Sequence, residues 1–310
     1  MQDQLSLFSQ NKTAAEELQS TLKWTLDGRP SAIDELTAIA GRCRSTSEYQ
    51  QLLGCLTRFP QYSVFNSLLL YLQKPQVQQV ATAGNWLSGY NRRPKPGARP
   101  LVILAPTAPV LFLYDVTDTE GAPLSEPPFS PVSHGTAALR EVFKKTRSNC
   151  DLHGISLRMM PNREPGTEIV VRLTAATRKR YRTLELSPKA RYLLLLNEQA
   201  SLAVRYRDLV LGLGQIFSGH YGIDAGAWWP ERAALSTETE EIEAQSVVGL
   251  VCGRLGFTDN ATAALDPHMG NTRIMPPFSL DAVIQATGYI EEMGRRRWSA
   301  PRKKSRYRSS

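Results

Sequence analysis

Residues 209–221 read LVLGLGQIFSGHY. The apolar side chains recur at helical spacing around Gly212 and Gly214, so the stretch predicts an apolar helix with a glycine-rich middle. A second apolar helix is predicted over 238–255, within EIEAQSVVGLVCGRLG (241–256), and Gly256 closes it. Its start is crowded with Glu238, Glu240, Glu241 and Glu243. Carboxylates near a helix N-terminus favour the macrodipole, which accounts for the first three. Glu243 lies too far into the helix for that, and if buried it requires a partner charge. Arg205, Arg207 and Arg254 are the candidates.

Outward from this pair, helices are expected at 135–147, 188–198, 200–221 and 279–293, the last capped by Ser279. Strands are expected at 153–160 and 167–173, joined by PNREPG, with a short strand at 182–186. A proline-rich connection at 117–134 separates them from an upstream part. That part opens with a polar leader and a helix from Ser31, followed by helical stretches at 46–58 and from Ser63 onward. The loop NRRPKPGARP (91–100) then leads into two apolar runs, 101–106 and 110–116, read as an antiparallel pair. The fold class is α+β, a small helix-plus-hairpin module followed by a mixed domain with a helical C-terminal part. The expected division is a leader at 1–30, a module at 31–121, a second domain at 135–294 and a tail at 295–310.

The formal net charge of +8 is unevenly placed. RRRWSAPRKKSRYRSS (295–310) holds eight Arg and Lys and no acid, which leaves 29 basic against 29 acidic residues elsewhere. With Trp298 and Tyr307 among the cations, this tail suits nucleic acid as well as it suits a solvated end. TAATRKRYR (174–182) is a second basic run. Cys43, Cys55, Cys150 and Cys252 are far apart, which argues for reduced buried thiols and against a disulfide framework or a zinc knuckle. No signal peptide or membrane-spanning run is visible, so a cytoplasmic location is expected.

Two constellations carry chemistry. In the first, Tyr62, Ser63 and Asn66 open a helix within FPQYSVFNSLLLYLQKP (59–75). Trp86 follows, then Arg92, Arg93, Lys95 and Arg99 crowd RRPKPGARPLVILAP (92–106), and YDVTDTEG (114–121) closes the set. Cations neutralise phosphates and exposed aromatics stack unpaired bases, whereas a buried Trp86 would be core. The order Y-S-x-x-N, Q-x-P, V-A, W, R-x-x-K-x-G, I-L-A-P and Y-D-V-x-x-T-E-G resembles the N-terminal module of ArdC-type antirestriction proteins, within the ImmA/IrrE metallopeptidase group. The resemblance covers about residues 40–121. It implies a single-stranded-DNA-binding module with Tyr62, Ser63, Asn66, Trp86, Arg92, Arg93, Lys95 and Arg99 on or near the nucleic acid. The chain departs from the pattern at Tyr90-Asn91 and at Pro96–Ala98.

In the second constellation, LVLGLGQIFSGHYG sits where such relatives carry L-V-H-E-L-x-H-I-F-x-G-H, and EIEA sits where they carry the third zinc ligand. The resemblance therefore implies a zincin-like domain with Leu211, Gly212 and Gln215 at the H-E-x-x-H positions and Glu243 at the third ligand. Two histidines four residues apart hold zinc, and the glutamate between them is the general base. Here both histidines and the glutamate are replaced. His220 is nine positions past Leu211, on the opposite side of a continuous helix. His134, His153 and His268 have no partner at ligand spacing. The expectation is a pseudo-metallopeptidase with no cofactor and no bound zinc, whose function is to bind single-stranded DNA, in antirestriction or mobile-element maintenance. The alternatives are a protein-interaction module that grips a partner in the vestigial cleft, and a metallopeptidase with atypical ligands.

Overall fold

The computed structural model describes residues 46–105, 109–124, 135–161, 169–222, 229, 232, 234–257 and 277–298. The leader 1–30, the helix expected from Ser31, Cys43, His134, His268 and tail residues 299–310 lie outside them. The chain is mixed α and β, and it divides into two compact units. The first comprises Met1–Val132 with Asn260–Ile284, the second Ser133–Asp259 with Gln285–Ser310.

In the first unit, α1 (Thr46–Arg58) and α2 (Val64–Gln73) pack on a small sheet. Ser63 caps α2 by accepting from the Asn66 N–H at 3.1 Å. The sheet order is β1 (Val80–Ala81), β4 (Val110–Asp115), β3 (Leu101–Leu104), all antiparallel, with Leu101 opposite Leu113 and Leu104 opposite Val110. The strand pair read from the sequence is present. Phe59, Leu70, Val77, Ile103 and Leu113 fill the core between sheet and helices. A short α3 (Ala83–Tyr90) leads through Asn91, in the left-handed region at φ 50°, into β2 (Arg92–Pro94). Strand β2 pairs with β5 (Thr119–Gly121), with Arg92 opposite Gly121. Gly121 has φ +134°, and a Cβ there would meet the Asn91 carbonyl oxygen at 2.5 Å, so this crossing requires glycine.

In the second unit, α4 (Thr136–Cys150) precedes β6 (Ile155–Met160), β7 (Val170–Arg172), α5 (Ala175–Arg180) and β8 (Tyr192–Asn197). The sheet order is β6-β8-β7, with β6 parallel and β7 antiparallel to the central β8. The helix expected at 188–198 is thus the central strand. YLLLLN is apolar without period because both faces of that strand are covered, and an unbroken apolar run looks the same in a buried helix. On one face, Leu173, Tyr181, Leu184 and Leu186 cover Val171, Leu193 and Leu195. The strand expected at 182–186 is instead a 3-10 turn, Arg182–Leu184, within that cover. On the other face lies α6 (Leu202–Phe217), capped by Ser201 and packed against α7 (Thr237–Arg254). Helix α8 (Leu280–Arg295), whose residues from Gln285 onward belong to this unit, is preceded by Ser279, whose side chain accepts from the Ala282 N–H as expected.

Cys55, Cys150 and Cys252 are free and buried, and burial pushes their thiols up to about 11, about 12 and about 12. Among the described residues no helix is long and apolar enough to cross a membrane.

Candidate functional site

The first unit separates its candidate residues into two groups. Asn66 is wholly engaged in holding an edge strand. Its side-chain N–H donates to the Leu104 carbonyl at 2.9 Å, and its oxygen accepts from the Leu104 N–H at 3.0 Å. Gln73, two helical turns later, makes the same double bond with Val102, 2.8 Å each way. Together the two amides pair the free edge of β3 as another strand would. Trp86 is fully buried, and its indole N–H donates to the Tyr114 carbonyl at 2.8 Å. A base cannot stack on a ring that reaches no solvent, so Trp86 is core.

Arg92 is a staple. Its guanidinium donates to the Thr119 hydroxyl at 2.9 Å, the Thr119 carbonyl at 2.8 Å and the Ala122 carbonyl at 2.5 Å. Asp115, also fully buried, accepts from the Gln78 and Gln79 N–H groups, the Thr117 hydroxyl and Lys74. Burial alone would raise its carboxyl pKa, but Lys74, Thr117 and the two backbone donors hold it below the ordinary value. Tyr62 is half-buried against the core, and burial raises its phenol pKa.

The second group faces solvent. Arg93, Lys95 and Arg99 are exposed. Arg93 pairs with Glu120 at 3.3 Å, with the two side chains 77% and 43% exposed, a surface pair that contributes little and yields readily to a phosphate. Lys95 donates to the Thr117 carbonyl at 2.8 Å. Beside Arg93 an open hollow of about 580 Å³ is lined by Leu87, Asn91, Arg93, Glu120 and Gly121. Leu87 is 61% exposed, one of a few large apolar side chains left in solvent among the described residues.

In the second unit, Leu211 and Gln215 lie half-buried on one face of α6, while Gly212 and Glu243 are buried. Gly212 is where α6 approaches the sheet. A Cβ there would fall 2.2 Å from a Leu194 methyl, 3.1 Å from Val170 and 3.2 Å from Ile169. Gly214 similarly admits α7, with Val247 3.2 Å from its Cβ position.

Glu243 is completely buried, and the cation forked onto it is none of the three arginines expected. Arg254 is taken by Glu291 at 2.5 Å. Arg232 supplies the charge, its two terminal nitrogens 2.7 Å from the two carboxylate oxygens. The same guanidinium donates to the Ser218 carbonyl, and the Arg232 N–H donates to Gly219. His220 Nε2 lies 2.9 Å from Glu243 Oε2, with the imidazole 1% exposed. The helical phase that set His220 apart fails because α6 stops at Phe217. Gly219, at φ +83°, then turns the chain, and the His220 N–H donates to Gln215.

The residues at these positions do not fit a divalent metal. Leu211 and Gly212 carry no donor atom, and both oxygens of Glu243 face a guanidinium already matched to them. Among the described residues no group of three or more His, Cys, Asp and Glu side chains is arranged to hold a metal. Arg232 had no signal in the sequence beyond the need of a buried carboxylate for a cation.

The chain matches no family model and no curated protein. Among solved structures, it is similar to the crystal structure of the antirestriction ArdC protein from plasmid R388 in its Mn(II)-bound form. That match has a TM-score of 0.35 at 13% identity, over 80% of this chain and 98% of that one. The metal-free form of the same protein gives a TM-score of 0.32 at 10% identity, over 79% and 94%. Likeness at that level carries no inference about this chain.

Proposed function

We propose that this chain binds single-stranded nucleic acid through the 93–99 loop of its first unit, and that its second unit is a metallopeptidase-like scaffold without catalytic activity. One observation carries the reading. Arg93, Lys95 and Arg99 stand in solvent on one short segment, and Arg93 lines a hollow with an exposed apolar wall at Leu87. Cations along a groove and an apolar platform for unpaired bases are the elements of such binding. A role in antirestriction or mobile-element maintenance rests on the motif resemblance over 40–121 alone.

The test is fluorescence anisotropy with labelled oligothymidylate of about 20 nucleotides and the matching duplex, at about 50 and about 200 mM salt. The full chain should prefer the single strand. The variant Arg93→Ala/Lys95→Ala/Arg99→Ala should lower the salt slope by about two, at roughly 0.7 for each phosphate no longer neutralised. A chain lacking 299–310 should retain that preference. Affinity no better than that of a basic peptide, or a triple variant that binds like wild type, overturns the reading.

A further inference from the structure

We infer a second nucleic-acid contact, on the second unit, formed by the segment 174–191 and recognising the phosphate backbone without regard to base or strandedness. It goes beyond the proposed function, which places binding on the first unit. The segment is fixed from below. Leu173, Tyr181, Leu184 and Leu186 turn inward onto Val171, Leu193 and Leu195 of the sheet. Two guanidiniums hold it at its edges through neutral carbonyls. Arg158 donates to Leu184 and Glu185, and Arg178 donates to Ser187, Pro188 and Ala190.

Bonds of that kind satisfy the guanidinium hydrogens and leave the positive charge uncompensated. On the outer side Lys179, Arg180, Arg182 and Lys189 are exposed. Among the described residues, none of these six cations is in an ion pair. The segment's only acid is Glu185. Arg180 lies over the Tyr181 ring at 5.3 Å, which holds one exposed guanidinium in place.

Uncompensated charge on an immobilised segment concentrates polyanions, and guanidinium forks match phosphodiester oxygens. No large apolar side chain is exposed in the segment; among the described residues those that are exposed are Leu87, Leu152 and Val204. It therefore lacks both the anchor that an amphipathic surface inserts into a bilayer and the apolar centre of a protein interface. It offers no stacking platform either, which predicts equal use of single and double strands.

The experiment uses the full chain and the variant Lys179→Ala/Arg180→Ala/Arg182→Ala/Lys189→Ala, titrated with the same single strand and duplex at the same two salt concentrations. The salt slope should fall by about three on single strands and by three to four on duplex. The loop variant of the first unit should weaken the single strand selectively, so the two contacts fail separately. In the unmodified protein, DNA should protect Lys179 and Lys189 from amine acetylation read by mass spectrometry, a measurement independent of any variant's folding. Unchanged slopes or unprotected lysines overturn the inference. So does a quadruple variant that loses binding to phosphatidylserine vesicles while keeping its DNA affinity.

Discussion

Removing Arg232 should strip a fully buried carboxylate of its counter-charge and cost several kcal/mol, on the order of 3–5. Glu243 is fully buried, while the Arg232 side chain keeps 18% exposure. Arg232→Ala takes the forked guanidinium from a buried carboxylate and leaves His220 beside it, and breaking a buried pair in this way costs about 3–5 kcal/mol. Glu243→Gln should cost less, about 2–3 kcal/mol, because the remaining guanidinium reaches water and the amide oxygen still accepts one of its bonds. With a urea m-value near 2 kcal/mol/M, these losses lower the midpoint by about 2 M and about 1 M.

Replacing both partners by apolar residues, Arg232→Met with Glu243→Leu, should leave the protein more stable than Arg232→Ala alone. The measurement is urea unfolding followed by far-UV circular dichroism, with Arg232→Ala, Glu243→Gln and the double Arg232→Ala/Glu243→Gln closing a double-mutant cycle. Single losses below about 0.5 kcal/mol, or a double variant equal to the sum of the singles, would refute the assignment of Arg232 as the counter-charge.

Gly212→Ala should destabilise by about 1–3 kcal/mol despite the better helix propensity of alanine, because its Cβ overlaps Leu194, and on a Leu194→Ala background, itself about 2–5 kcal/mol less stable, that increment should largely vanish. Asn66→Ala should lower stability by about 1–3 kcal/mol by freeing the edge of β3, with single-strand affinity unchanged in anisotropy. His153 packs against Phe217, Tyr289 and Trp298, and burial, with Arg191 nearby, pushes its pKa below the ordinary 6.5. The folded state therefore favours neutral His153, so stability is full above that ordinary value and falls as pH drops through it. Thermal unfolding across that range should show a slope that His153→Phe flattens.

The elements that read well from the sequence are those whose signals are local. Ser63 and Ser279 cap the helices expected of them, and the two runs after the basic loop pair as antiparallel strands. Tertiary context decides the others. Tyr192–Asn197 has no period because it is covered on both faces, and Leu184 and Leu186 alternate like a strand while facing a sheet from a turn. The site is legible only in part. Glu243 can be singled out as a carboxylate in need of a cation, but Arg232 belongs to neither helix, so no periodicity ties it to them. Extending the helical phase past Phe217 misplaces His220. Trp298 reads with the tail as a stacking residue, yet its ring packs on Tyr289 and its N–H donates to Asn149.

The motif residues themselves explain how a resemblance can say much about a fold and little about a ligand. Ser63 caps a helix, Asn66 closes a strand edge, Trp86 and Asp115 are buried, Arg92 and Thr119 bond each other, and Gly121 permits a crossing that no other residue allows. Each is a polar or special residue fixed by the architecture, so a chain could keep all of them and bind nothing. Substituting them would change stability first, so they are poor probes of the ligand. The ligand must instead be sought through residues the fold does not need, Arg93, Lys95 and Arg99 in one unit and Lys179, Arg180, Arg182 and Lys189 in the other. All seven are exposed, and their removal changes charge while leaving the core untouched. The second unit follows the same logic in reverse. Glu243 stands where the resemblance expects a metal ligand, but with Arg232 forked onto it the cation it needs is covalently part of the chain.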